Sequence, residues 1–179
     1  MAEPSSDSNS TDVHEESGIY VALTKDELDP KFIMNKVRSA QCGAIVLFAG
    51  TTRDNFDGKP VKHLAYEAYG ALALRTMTAI GKEIRAKHNV HQIAMVHRLG
   101  VVPIAEESIL IAVSTPHRQA AWRAGEEALE LVKERVEVWK MEEFGGEEGG
   151  VWRANRDGKT GTKTALGSLE EAKASIEAL

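Results

Sequence analysis

The sequence of 179 residues lacks the features of a secreted or a membrane protein. Its single cysteine, Cys42, excludes an intramolecular disulfide, and a cysteine-based zinc site would need ligands that the chain does not cluster. No apolar run approaches the roughly 18 residues of a membrane span, and the first residues lack the basic and apolar segments of a secretory signal. These absences predict a soluble protein of the cytosol.

The chain also has no excess of positive charge. Its 22 Lys and Arg against 27 Asp and Glu give a formal net charge of −5. Such a chain has no global attraction to nucleic acid or to an acidic membrane surface, so any anion site must be local. The P-loop, GxGxxG, HExxH and CxxC signatures are absent as well, and we expect neither a metal ion nor an organic cofactor.

Hydrophobic residues make up 42% of the chain, which is enough for one domain with a sizeable core. Residues 1–17 are rich in Ser, Asp and Glu, and this composition predicts a disordered segment. We expect the domain to occupy residues 18–156. Residues 157–179 form a polar tail, in which a capping-box pattern from Ser168 predicts one short helix.

Helices and strands are predicted without regular strand–helix–strand alternation. Asp29 and Pro30 are typical of a helix start, and this helix is predicted to end near Ser39. The other predicted elements are strands over 43–50, 61–69, 91–100, 107–114 and 136–144, helices over 71–87 and from 116 to 135, and a turn at 101–103. This mixture favours an α+β domain with a mixed or antiparallel sheet and two to three main helices.

The sequence STPHR provides the first candidate site. With Thr115 as N-cap, Pro116, His117 and Arg118 would be the first three residues of the long helix, where free N–H groups and the helix dipole attract anions such as phosphate. A surface His and Arg that merely follow a helix cap are an equally good interpretation. Arg53, in the loop after the strand over 43–50, is a second phosphate-binding candidate, although exposed loop arginines are common.

Two lysines provide the second candidate site. Lys133 borders the apolar stripe of the long helix, and Lys140 shares the side of the next strand with Val136 and Val138. Partial burial of an amine favours its neutral form, which can act as a base or a nucleophile. The alternative is two lysines that lay their aliphatic stems on apolar surface and keep their ammonium groups in water.

Two further reactive side chains are interpreted as structural. His97 lies at the end of a predicted strand, where a histidine is more often hydrogen-bonded than catalytic. Cys42 lies at the start of a buried strand with no neighbouring base in the sequence. Neither is a candidate catalytic residue.

Five motifs, GTTRDNFDGK, YEAY, HRLG, STPHR and LVKERVEVWKMEE, resemble in order and spacing the MoaE family, the large catalytic subunits of molybdopterin synthase. The resemblance covers about residues 40 to 155. It implies an α/β-hammerhead fold. It also implies that a small partner subunit, which ends in a Gly-Gly thiocarboxylate, donates sulfur to cyclic pyranopterin monophosphate and so produces molybdopterin.

The resemblance also implies roles for particular residues. The pterin and its phosphate would be held by Thr51, Thr52, Arg53, His117 and Arg118. The pocket for the thiocarboxylate tail would be lined by Lys133, Lys140, Met141 and Glu142, with Lys133 and Lys140 catalytic. Proton transfer and stabilisation of an acyl-transfer intermediate are the roles left open for the two lysines. The family usually has Lys or Arg where this chain has Met141.

The spacing of these residues predicts a second copy of the chain in the site. Lys133 lies 15 to 16 positions after His117 and Arg118 on one predicted helix. This spacing corresponds to roughly 22 to 24 Å at 1.5 Å per residue, which one small substrate cannot span. If both ends serve one pocket, the site lies at a two-fold dimer interface. The resemblance likewise implies a central dimer of large subunits within a heterotetramer.

Two other functions remain open from the residues alone. A non-catalytic phosphate- or nucleotide-binding module would explain STPHR but not the lysines. A pure interaction protein would receive a partner's extended tail on the strand VEVWKME and the loop GGEEGG. Loss of turnover in Lys140→Ala, with partner binding retained, would favour the enzyme over both.

Overall fold

The computed structural model describes residues 11–144 and 151–154 of the chain. The strands are β1 Asp12–Glu16, β2 Ile19–Thr24, β3 Ala44–Thr51, β4 Asn55–Phe56, β5 Lys59–Ala68, β6 Gln92–Arg98, β7 Gly100–Pro103, β8 Glu107–Thr115, β9 Val138–Phe144 and β10 Val151–Ala154. The helices are α1 Pro30–Lys36, α2 Gly70–His88 and α3 Arg118–Arg135. The described residues form two sheets, which confirms the predicted α+β class.

The first sheet has the order β1-β2-β6-β8-β3. Only the β2–β6 pair within it is parallel, with Ile19 opposite Ile93, and the other pairs are antiparallel. Helices cover both faces: α2 and α3 pack on one side and α1 on the other. Its inner strands β2, β6 and β8 are almost entirely buried, and their central residues are mostly apolar, as expected for strands with two buried faces.

The alternation of side chains along β2 divides the core into two layers. Ile19, Val21 and Leu23 pack in the layer with α2 and α3, and Tyr20 and Ala22 pack in the layer with α1. All six residues of β2 are buried. We did not predict this strand from the sequence, because its short apolar run directly follows the polar N-terminal segment and has a glycine at one end only, unlike the run over 43–50.

The second sheet is built on the ten-residue strand β5. Strand β9 pairs with one edge of β5 and β7 with the other, β10 extends the sheet beyond β9, and β4 forms a hairpin with the start of β5. Asp57 and Gly58 connect this hairpin with φ angles of 50° and 79°. Positive φ at both positions is typical of a type I′ turn, for which Asp-Gly is a preferred pair.

The predicted turn at residues 101–103 is wrong, because these residues form β7. Gly100, with a φ angle of 76°, bends the chain directly after β6, and the next residues pair with β5, Val102 lying opposite Leu64. The chain instead turns after Pro103, where Ala105 has a φ angle of 69°.

The N-terminal segment also differs from its prediction. Residues Asp12–Glu16, expected within a disordered segment, form the edge strand β1 antiparallel to β2. Its acidic side chains reach cations of neighbouring helices, with Glu15 at 3.0 Å from Lys36 and Glu16 at 3.1 Å from Lys82. A polar edge strand buries little apolar surface, so hydrophobicity does not reveal it.

The sequence GGEEGG and the short helix predicted from Ser168 lie outside the described residues. Within the part of the chain that the structure describes, no helix is both long enough and apolar enough to cross a membrane.

Candidate active site

His117 and Arg118 lie at the start of α3, but the helix begins two residues later in the chain than predicted. His117 is the N-cap and Arg118 is the first helical residue, so the placement of Pro116 to Arg118 as the first three helical positions is wrong. The reason is that Thr115 still belongs to β8, and the amide of Gly43 donates to the carbonyl of Pro116 at 3.3 Å. The Thr115 hydroxyl donates to the carbonyl of His117 at 2.8 Å instead of capping the helix.

Lys133 lies in the last turn of α3, at the opposite end of the helix from Arg118. Strand β8 leads towards His117, and α3 returns along β8 and β3. Midway along α3, a Cβ on Gly125 would lie 3.1 Å from Val46 of β3, so the helix runs close to the sheet there. Lys133 therefore lies near the end of the first sheet at which β8 begins.

The loop that contains Thr51, Thr52 and Arg53 lies at this same end of the first sheet. Thr51 is opposite Glu107 in the β3–β8 pair, whereas Ala44 is opposite Thr115. The seven steps along β3 correspond to roughly 23 Å at about 3.3 Å per residue. The structure thus places Thr51 to Arg53 near the end that carries Lys133, and His117 and Arg118 at the other end.

Within that loop, Thr52 is held by internal hydrogen bonds. It is 2% exposed, its hydroxyl donates to the carbonyl of Val102 at 3.3 Å, and its amide donates to the carbonyl of Glu106 at 3.1 Å. Arg53 beside it is exposed. Thr52 therefore anchors the loop, and Arg53 is its solvent-facing cation.

Lys140 lies on the core-facing side of the second sheet. It is opposite Tyr66 of β5 and shares its side of β9 with Val138, and both of these neighbours are buried. The Lys140 side chain is 20% exposed, and Lys133 is half-buried. The predicted partial burial of both lysines is confirmed.

Glu142 lies on the same side of β9 as Lys140 and is 3% exposed. Its Oε1 is 3.6 Å from the Lys140 ammonium, and its Oε2 is 3.5 Å from a guanidinium nitrogen of Arg153 in β10. The Arg153 guanidinium in turn lies 5.4 Å from the centre of the Phe56 ring in β4. We call Lys140, Glu142, Arg153 and Phe56 the Glu142 cluster.

The Glu142 cluster combines one buried carboxylate with two partly buried cations. A buried carboxylate is costly without compensation, and here each of its oxygens faces a separate cation. The separations exceed the 2.7–2.9 Å of short charge-assisted hydrogen bonds, so the ammonium keeps donors for another acceptor. Such a group can bind an anion or stabilise a developing negative charge.

Arg153 was missed from the sequence. It follows the glycine-rich stretch in the four-residue strand Val151–Ala154, which is too short to have a recognisable period. The contact of Arg153 with Glu142 depends on the β9–β10 register, which places Arg153 opposite Lys140. Spacing along the chain does not give this register.

The structure does not bring Met141 together with Lys140 and Glu142. Neighbouring residues of a strand point to opposite faces, and Met141 lies opposite Ala65 and Trp152 on the other side of the sheet. A pocket on the Glu142 side of one copy therefore excludes the Met141 side chain.

His97 is a buried structural residue, as interpreted from the sequence. It is 1% exposed, its Nδ1 lies 2.9 Å from the carbonyl of Arg98, and its ring meets Tyr66 edge to face at 4.9 Å. Burial lowers the pKa of His97 from 6.5 to about 4, so the imidazole is neutral at pH 7 and Nδ1–H donates to the carbonyl. Cys42 is a free, half-buried thiol.

Among the described residues, no group of three or more His, Cys, Asp and Glu side chains is arranged to hold a metal ion.

Comparison with known sequences gives a consistent result. The sequence model of the family described as MoaE protein matches residues 23–135. The molybdopterin synthase catalytic subunit of Sclerotinia sclerotiorum is 69% identical over 148 residues, which cover 83% of this chain and 76% of that protein. The corresponding subunit of Neurospora crassa is 68% identical over 148 residues, which cover 83% of this chain and 72% of that protein.

Solved structures share the fold. Molybdopterin synthase from Staphylococcus aureus is similar with a TM-score of 0.69 and 35% identity, over 73% of this chain and 94% of that one. A chain from the complex of subunits 1 and 2 of the Helicobacter pylori molybdopterin-converting factor is similar with a TM-score of 0.59 and 22% identity, over 69% of this chain and 84% of that one. The latter likeness shows the fold alone.

Fold and sequence together define one class of protein, the molybdopterin synthases. The chain belongs to the MoaE family, that of the catalytic subunits of these enzymes. The family resemblance of the five motifs is confirmed, and the alternative of a non-catalytic phosphate- or nucleotide-binding module finds no support.

Proposed function

We propose that this catalytic subunit is a cytosolic sulfurtransferase. It takes sulfur from the C-terminal thiocarboxylate of a small partner subunit and places it on cyclic pyranopterin monophosphate. The observation that carries the proposal is the Glu142 cluster. Its Lys140 side chain is mostly buried, and the Lys140 ammonium has N–H donors available for a bound anion, because it lies 3.6 Å from Glu142. A thiocarboxylate is an anion, and a partly desolvated ammonium group is a strong partner for it.

The reaction transfers sulfur in two stages. The thiocarboxylate sulfur forms a bond to a substrate carbon while a carbon–oxygen bond at that carbon breaks and the oxygen leaves with a proton. Water then cleaves the acyl–sulfur bond, which leaves a thiolate on the pterin and a carboxylate on the partner. Lys140 stabilises the oxyanion of the tetrahedral intermediate during this cleavage, and Lys133 assists by proton transfer or by charge. Glu142 holds the ammonium of Lys140 in place.

The residues proposed to bind the pterin lie at both ends of α3. Thr51 and Arg53 approach the substrate from the end that carries Lys133, with Thr52 anchoring their loop. His117 and Arg118 bind the phosphate from the other end of α3, roughly 22 to 24 Å away from Lys133. Both groups meet one substrate only if a second copy of the chain supplies His117 and Arg118. Met141 reaches the site only through such an interface as well.

The functional assembly in this proposal is a dimer of catalytic subunits with a small subunit at each outer end, hence a heterotetramer. The H. pylori protein of similar fold was solved as a complex of two kinds of subunit. An extended Gly-Gly tail suits a narrow site beside a strand, because glycine adds no side chain to the width of the backbone.

The proposal is tested by turnover of cyclic pyranopterin monophosphate with a thiocarboxylated small subunit. We compare the wild type with Lys133→Ala and Lys140→Ala, and we use Lys82→Ala as a matched control because Lys82 is 60% exposed in α2. The expected result is product from the wild type and the control, little product from the two site variants, and unchanged small-subunit affinity. Absence of product from a folded, partner-bound wild type would overturn the proposal.

A further inference from the structure

Arg153 joins three parts of the chain at one point. Its guanidinium lies beside Glu142 of β9 and over the ring of Phe56 in β4, and its backbone pairs with Lys140. Its side chain is 28% exposed, so water only partly screens these contacts. Arg153 therefore contacts both the strand that carries Lys140 and the hairpin that follows the Thr51–Arg53 loop.

The two oxygens of Glu142 are divided between two cations. Oε1 faces Lys140 and Oε2 faces Arg153. Without Arg153, the 4%-exposed carboxylate would have one nearby cation in this cluster, and the flexible ammonium of Lys140 could close onto both oxygens. That closed pair would have no net charge. With Arg153 present, the group keeps a net positive charge and Lys140 is held at one oxygen only.

We propose that Arg153 is a positioning residue for Lys140. Acting through Glu142, it occupies one carboxylate oxygen, keeps the Lys140 ammonium from closing onto both, and leaves its donors directed at the incoming anion. The Phe56 ring fixes the guanidinium through a cation–π contact. This inference rests on the proposed function for its meaning in catalysis, but the effect of Arg153 on Lys140 can be measured separately.

Turnover variants test the catalytic side of the proposal. Arg153→Ala is expected to lower kcat by about 10- to 100-fold, in the range for groups that orient a catalytic residue, with KM and small-subunit affinity changed much less. Arg153→Lys keeps the charge and should recover most of the loss. Arg153→Met removes the charge but keeps an aliphatic side chain over Phe56. It replaces Arg153→Ala in the test if Arg153→Ala does not fold. Arg38→Ala, in an exposed segment after α1, is the control.

A double-mutant cycle distinguishes positioning from a merely structural role. If Arg153 acts through Glu142, Arg153→Met should cost little further kcat once Glu142→Gln has been made. A purely structural role predicts losses that multiply. Multiplying losses, or an Arg153→Met variant with wild-type kcat, would overturn the inference while leaving the proposed function intact.

Selective labelling of lysines gives a readout that needs no turnover. The rate at which an amine reagent modifies Lys140 in the full chain, relative to exposed Lys82, is followed by mass spectrometry in the wild type and in Arg153→Met. Closure of Lys140 onto Glu142 should slow its relative labelling by about tenfold, as for one added charge-assisted hydrogen bond. An unchanged labelling ratio contradicts the inference about Arg153, whether or not the wild type is active. Absence of product from the wild type overturns the proposed function but not this inference.

Discussion

Arg118 begins α3 and Lys133 lies in its last turn, so one copy of the chain presents these two cations at opposite ends of a single helix. Their separation is about 22 Å at 1.5 Å per residue. The helix is continuous, and no bend within one copy brings the two residues together. A site that uses both must contain two copies.

Mixing two inactive variants tests this composite site. Arg118→Ala and Lys140→Ala should each have little activity alone, because each dimer lacks one component at both sites. Mixed dimers contain one site with both components intact, so random assembly of equal amounts should restore about a quarter of wild-type turnover. The measurement is activity after joint refolding of the two variants. Recovery no greater than the sum of the separate activities would show that each copy is complete by itself.

The buried Glu142 carboxylate should also be important for stability. Glu142→Gln leaves Lys140 and Arg153 without their shared counter-charge, and we expect a loss of about 1–3 kcal/mol in the free energy of unfolding, because both cations are partly exposed and regain some hydration. Urea denaturation gives the value. Glu143→Gln is the control, since Glu143 pairs with His63 at a 40%-exposed position and should cost less than about 1 kcal/mol.

Burial of His97 predicts a pH dependence of stability. Its folded-state pKa of about 4 lies below the ordinary 6.5, so the unfolded chain binds the proton more readily. The stability from a neutral His97 is therefore fully present above pH 6.5 and is lost as the pH falls towards 4, by up to about 3 kcal/mol. The free energy of unfolding of His97→Gln should fall less steeply over this range than that of the wild type. Equal slopes would contradict the buried neutral imidazole, and exposed His14→Gln serves as the control.

Gly43 should be intolerant of a side chain. A Cβ at this position would lie 2.9 Å from the carbonyl oxygen of Pro116, a backbone atom that cannot move aside alone. Gly43→Ala should therefore displace the segment before α3, lower the free energy of unfolding by about 1–3 kcal/mol, and weaken the proposed binding of the substrate phosphate by His117 and Arg118. Calorimetric titration measures that binding, with Gln41→Ala as the exposed control. Wild-type stability and affinity in Gly43→Ala would show that this contact is unimportant.

Two of the longer elements were predictable from their apolar residues. The stripe that borders Lys133 predicted α3 by its helical period, and the continuous apolar run between glycines over 43–50 predicted β3. Elements with little apolar content were not predictable: β1 is a polar edge strand, and β4 has two residues. The Asp57–Gly58 pair did contain a hairpin signal that could have indicated β4.

The residues of the Glu142 cluster were named from the sequence only in part, and their arrangement was not predictable. The family motifs point to Lys140 and Glu142, and strand alternation places these two on one face. Arg153 completes the cluster because β10 pairs with β9. Residues 145–150 separate the two strands in the sequence, and no periodic pattern in the sequence indicates their pairing. Non-local pairing of this kind is fixed by three-dimensional packing and not by spacing along the chain.

Isotopic tracing of the sulfur atom is the most direct test of the account. A small subunit carrying a heavy-sulfur thiocarboxylate is incubated with this chain and cyclic pyranopterin monophosphate in water enriched in heavy oxygen. The account predicts that both dithiolene sulfurs of the product carry the label and that the small subunit is released with a C-terminal carboxylate containing one oxygen from water. Product whose sulfur is unlabelled, or no product from the folded complex, would contradict it.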